Sequence, residues 1–207
     1  PIVAVAAPLP ATVPGTAVAS LAYWRHRLVD RTVVLWSLAV GVPATALGAL
    51  ASRWVDGHAL LVVSEVMIIA IGARSLAGRQ RAATPSAPNY SKARLVAVAA
   101  LTGLAAGLLA NSGGFLLAPL YIAVLRLPIK QAFACSLVVS AVLAVPGTMV
   151  HATLGHIDWR IVALFGIASV PASYLGARVA IQADAGRLER AYGAALVALG
   201  GALLILR

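Results

Sequence analysis

The sequence predicts an all-α polytopic integral membrane protein with about seven membrane segments. Three features carry that prediction. Of 207 residues, 61% are hydrophobic and 11% charged, and the mean hydropathy is +0.95. A soluble domain of this length cannot hide that much apolar surface, so lipid must cover part of it. The apolar residues also come in runs of about 20, the length that spans a hydrocarbon core. Lastly, the 16 cations, 14 of them Arg, stand mostly between the runs. A net charge of +10 can signal nucleic-acid binding, but here no basic face interleaved with aromatics exists. Basic loops between apolar spans are the mark of a polytopic membrane protein. The lone Cys135 excludes an internal disulfide.

Taken in order, the segments are A (2–22), B (32–51), C (58–76), D (95–125), E (132–150), F (161–180) and G (188–206). Only helices and closed barrels satisfy their backbone in lipid, and long runs rich in Ala, Leu and Val are helical. A polar stretch with two prolines and four cations (77–94) joins C to D and reads as a loop between two halves. Segment D is too long for one crossing: about 31 residues would make a helix of roughly 46 Å against a core of about 30 Å. Gly113 and Gly114 fall near its middle and Pro119 removes another backbone donor, so a break in D is predicted. The chain opens on Pro1 with no n-region of a signal peptide, and the expectation is that its natural N-terminus lies upstream.

The two halves are copies. Val13–Thr16 recurs at Val145–Thr148, and the pattern V-P-A-x-x-L-G-A at 42–49 recurs at 170–177. Asp30, Pro43, Gly48, Asp56, Leu60 and Gly72 all return 128 positions later, without a gap. The organisation expected is one membrane domain: a first repeat over 1–78, a polar loop over 79–93 and a second repeat over 94–207. In this register the first repeat lacks its own version of the Gly-rich broken helix that opens the second.

Those residues resemble the sulfite exporter TauE/SafE family of membrane transporters. The family's small-residue cluster, G-x-G-G-G followed by apolar residues and Pro, is matched by Ala110 to Pro119. The opening of its next helix matches Ala132 to Leu137, and its G-x-(V/I)-D-W corner matches Gly155 to Trp159. Two family glycines are replaced here, by Ala110 and Ser112. The resemblance implies transport of small anions, typically sulfite or organosulfonates, across the bacterial inner membrane.

A helix broken at the midplane offers free amides and a positive dipole end to an anion. The expected substrate-binding residues are therefore Asn111, Ser112, Gly113, Gly114, Pro119 and Ser136, with Thr16 and Thr148 from the paired Pro-Gly-Thr sites that break segments A and E. No Lys or Arg lies deep in the runs, so neutral donors would hold the anion. The alternative is that these small residues only let helices pack closely. His151 and Glu65 are candidates for gating or proton coupling, since ionisable groups within the membrane are costly; each can equally be structural. Asp30 and Asp158 read as N-caps, and the four Trp as interfacial anchors. No catalytic residue, metal site or cofactor is expected. The partners expected are a small anion and the lipid bilayer, with homo-oligomerisation left open. A membrane-embedded hydrolase or a scaffold subunit are the alternative functions, and symmetric halves suit alternating access better than either.

Charge also bears on topology. If D crosses once, ten cations face one side and six the other; if D dips in and returns, the split is thirteen to three. The stronger asymmetry favours a re-entrant hairpin and inverted repeats.

Overall fold

A computed structural model describes residues 8–54, 91–109, 114–155 and 157–205, with isolated positions 62, 66, 69, 70 and 73. Among these residues it contains seven α-helices: α1 (Pro8–Arg25), α2 (Arg31–Ala51), α3 (Lys92–Leu108), α4 (Gly114–Ala123), α5 (Ile129–Thr153), α6 (Trp159–Gln182) and α7 (Ala185–Ile205). Three of them, α2, α5 and α6, are by length and composition able to cross a membrane. Segment C lies almost wholly outside the described residues.

Local chemistry sets the helix boundaries. The Asp30 carboxylate accepts from the amides of Thr32 (2.9 Å) and Val33 (3.2 Å) at the start of α2. Asp158 does the same for Arg160 at 2.9 Å before α6, and Asp184 for Gly186 and Arg187 at 3.0 and 3.2 Å before α7. Each supplies a partner for orphan donors and a negative charge for the positive helix end. α1 ends with Arg27 in the left-handed region (φ 55°), its amide donating to the Trp24 carbonyl at 2.9 Å. α5 ends the same way: Gly155 (φ 71°) donates to Ala152 at 3.1 Å. These corners and the Asp30 and Asp158 caps are each 128 positions apart.

One expectation fails here. The Pro-Gly-Thr sites do not break their helices: α1 runs through Pro14 and α5 through Pro146. A helical proline forfeits one hydrogen bond, and a long helix with packed neighbours can absorb that loss as a kink.

Close approaches give the helix directions. On α2 and α3, Gly41 meets Ala99 and Gly103, whereas Gly48 meets Leu104 and Leu108, so the two run parallel. On α2 and α5, the Asp30 amide donates to the Cys135 sulfur at 3.3 Å and Gly41 lies against Leu143, so these are parallel too. Hence α3 and α5 start at the same end. Among the described residues α3 leads away from that end and α4 leads back toward it, since the Tyr121 hydroxyl at the end of α4 donates to Ser37, early in α2, at 2.6 Å. The directions of α3 and α4 are those that a re-entrant segment D requires. The turn itself falls on 110–113, outside the described residues.

The core lies where these four helices meet, with Val33, Leu95, Leu117, Tyr121, Leu127, Cys135 and Val139 fully buried. On the other flank α1 packs antiparallel to α5 and parallel to α6, through Ala19, Tyr23, Ala134 and Ala177. The Lys130 ammonium bonds the Ile181 carbonyl at 2.7 Å, which places the end of α6 beside the start of α5. One end of the molecule therefore gathers Arg25, Arg27, Arg31, Lys92, Arg94, Arg126, Lys130, Arg178, Arg187 and Arg190, while Arg160 stands at the other. Trp24 lies under the Arg31 guanidinium (5.4 Å) and Trp36 under the Lys92 ammonium (5.9 Å), so both rings sit at the basic end.

Candidate functional site

A cavity of about 280 Å³ opens between α1, α4, α5 and α7. Its lining comprises Thr16, Gly114, Ala118, Phe133, Ser136, Leu137, Ser140, Tyr192 and Leu196. Drug-sized ligands need about 300–1,000 Å³, so a space of this size suits a smaller solute. Depth follows from helix geometry. Gly114 begins the ten-residue α4, about 15 Å from the basic end of that helix, or half of a core of about 30 Å. Ser140 stands near the middle of the 25-residue α5.

The hydroxyls of the lining differ in what they already hold. Thr16 donates back to the carbonyls of Thr12 (2.8 Å) and Val13 (3.1 Å), and Ser136 to that of Phe133 (3.0 Å). Both protons are engaged within their own helices, a common arrangement for Ser and Thr in a helix. Ser140 differs: it is 1% exposed, and its hydroxyl has no partner among the described residues. A buried unpartnered hydroxyl costs about 1–3 kcal/mol, so it calls for an explanation. Across the cavity, Gly114 opens α4, whose first amides have no acceptor within the helix. An orphan hydroxyl and a helix N-terminus lining one apolar mid-depth cavity make a set of neutral donors suited to an oxyanion. Among the described residues no cation lines the space.

Of the residues the sequence nominated, the cavity unites Thr16, Gly114 and Ser136. Asn111, Ser112, Gly113 and Glu65 lie outside the described residues. Pro119 is buried inside α4 without lining the cavity. Thr148 carries a second buried hydroxyl with no partner among the described residues, two turns beyond Ser140 and away from this space. His151 is fully buried, its Nε2 3.2 Å from the Gly107 carbonyl, where it ties α5 to α3. The Cys135 thiol lies against the Asp30 backbone rather than in the cavity. Sequence reasoning missed Ser140, Phe133 and Tyr192. Ser140 could have been found from its i, i+4 relation to Ser136, which puts both hydroxyls on one helical face. Phe133 and Tyr192 meet edge-to-face at 5.0 Å and form an aromatic side to the cavity.

A second hollow of about 430 Å³ lies at the basic end between α1 and α6, with Arg25, His26, Arg178 and Gln182 above Val18, Leu21 and Ile181. Among the described residues no cluster of three metal-ligating side chains occurs.

The sequence matches the model of the sulfite exporter TauE/SafE family over residues 1–203. It is 28% identical over 183 residues to a probable membrane transporter protein of Xylella fastidiosa (strain 9a5c), covering 85% of this chain and 69% of that one. A probable membrane transporter protein of Bacillus subtilis (strain 168) is 22% identical over 178 residues, covering 77% of this chain and 63% of its own. No solved structure matches the chain. With spans long enough to cross a bilayer and a family match over nearly every residue, the chain belongs to the sulfite exporter TauE/SafE family of membrane transporters.

Proposed function

We propose that the protein is a secondary transporter of small oxyanions, with sulfite and organosulfonates as the favoured substrates, and that the cavity around Ser140 is the binding site. The observation that carries this reading is the unpartnered Ser140 hydroxyl beside the start of α4 at mid-depth. Among the described residues the Ser140 hydroxyl is engaged by no group of the fold, which leaves it for a ligand. Thr16 and Ser136 can turn their hydroxyls from their own helices to the anion, and Asn111 to Gly113, which immediately precede α4, extend the donor set. Because every one of these donors is neutral, the anion meets no fixed positive charge, and binding stays weak enough for release. α1 and α5 run antiparallel on two sides of the cavity, as expected of inverted halves that rock around a central site. The chain carries no nucleotide-binding motif, so an ion gradient or the anion's own gradient drives the flux. The basic end faces the cytoplasm of a bacterial inner membrane, and the hollow at Arg25 and Arg178 raises the local anion concentration there.

The test is flux. The protein reconstituted in liposomes is expected to move sulfite, or another member of an oxyanion panel, down an imposed gradient. Folded protein that moves none of them sinks the proposal.

A further inference from the structure

The hollow between α1 and α6 is built from two kinds of surface. Its rim holds Arg25 and His26 at the end of α1, with Arg178 and Gln182 near the end of α6, and its floor is Val18, Leu21 and Ile181. Arg178 stands four residues before the last residue of α6, about 6 Å of helix. The headgroup layer adds about 5–7 Å to each side of the hydrocarbon core. The rim therefore lies at the level of the lipid phosphates.

The cations of the rim lack a counter-ion. Arg178 lies over the ring of Tyr174, one turn earlier on the same helix, at 4.6 Å, which holds its guanidinium at the rim. Among the described residues neither Arg25 nor Arg178 has a carboxylate partner. Asp30 and Asp184, at the same end, direct their oxygens to the amides that open α2 and α7. Two guanidinium groups facing one space without an acid repel each other and favour an anion between them. Arginine forks suit phosphate oxygens in particular.

The floor says which anion. Leu21 is 52% exposed, and next to the rim on α6 Leu175 and Val179 are 61% and 69% exposed. This is surface that lipid covers, so phospholipid lies against it with its phosphate at the height of the rim. At about 430 Å³ the hollow is larger than the mid-depth cavity of about 280 Å³ and has room for a phosphodiester with its glycerol groups. We propose that the hollow binds the headgroup of an anionic phospholipid. Arg25 and Arg178 hold the phosphodiester from two helices, His26, Gln182 and the Tyr174 hydroxyl serve the remaining oxygens, and the acyl chains run over Val18 and Leu21. Basic hollows between membrane helices are suited to such headgroups. A choline headgroup would bring its own cation towards the two guanidinium groups, which disfavours a zwitterionic lipid. The phosphodiester carries one negative charge against two positive ones, so the hollow stays positive and still draws a substrate anion.

The test titrates dioleoylphosphatidylglycerol into the chain held in a non-ionic detergent and follows bound lipid by native mass spectrometry. Phosphatidylglycerol is expected to bind in preference to dioleoylphosphatidylcholine. Arg25→Gln and Arg178→Gln should each weaken its binding roughly fivefold or more, the factor an arginine near an anionic lipid is worth. Both side chains are exposed, so the variants fold. Arg94→Gln removes a cation from the same end but outside the hollow and should change nothing. Equal binding of the two lipids, or an equal loss in Arg94→Gln and Arg178→Gln, would overturn the proposal. So would binding of sn-glycerol 3-phosphate as tight as that of the lipid, which would assign the hollow to a soluble phosphate. None of these outcomes depends on the transported substrate, so a failure here and a failure of the flux assay are separate results.

Discussion

Replacing Ser140 by Ala separates a binding role from a structural one, because the two roles predict opposite changes. Without ligand the hydroxyl is buried and has no partner among the described residues, so its removal deletes a desolvation cost instead of a bond. Alanine is also the better helix former by a few tenths of a kcal/mol. Stability should therefore hold or rise slightly. With an anion bound, the hydroxyl donates to a charged acceptor, a bond worth about 1.5–3 kcal/mol. At about 1.4 kcal/mol per decade, its loss should weaken anion binding roughly 10- to 150-fold. The assay is a pair of measurements on one preparation: anion dissociation constant by tryptophan fluorescence or calorimetry, and resistance to unfolding by SDS titration. A variant that binds the anion normally, or one that unfolds more readily while binding is unchanged, refutes the assignment of Ser140 to the site.

Further consequences can be checked independently. Gly107→Ala places a Cβ on the Thr45 carbonyl, forces α2 and α3 apart and should cost about 1–3 kcal/mol; an SDS-unfolding midpoint unchanged from the parent protein would count against the close packing. Asp30→Ala strips two amides of their acceptor at the start of α2 and should cost about 1 kcal/mol, whereas Asp30→Asn should recover most of it in the same titration. For topology, single cysteines at Arg94 and Arg126 in a Cys135→Ser background should react with an impermeant maleimide from the same face of the membrane, and one at Arg160 from the other. Labelling of Arg94 and Arg126 from opposite faces would show that α3 and α4 cross as one rod.

What the sequence could say depended on signals that are local or cumulative. The described spans fall close to their expected limits because about 20 apolar residues in a row admit one solution in lipid. Asp30 and Asp158 were legible as caps because an N-cap acts within three residues of itself. The basic loops were legible by counting, and the count alone favoured the return of segment D. The facing of each helix was not legible. α5 is apolar on every side, so although the i, i+4 spacing puts Ser136 and Ser140 on one face, nothing in the order of residues says that this face lines a cavity and that Thr148 does not. Nor could the sequence tell that His151 would spend its ring on the Gly107 carbonyl, since that bond spans 44 positions. The same holds for Pro14 and Pro146, whose lost hydrogen bonds are absorbed by helices held in place by their neighbours. In a membrane the hydrophobic effect sorts residues between lipid and water and hardly at all between one helix and the next. Rotation, partner and cavity are left to close packing between distant residues, and those only the tertiary structure decided.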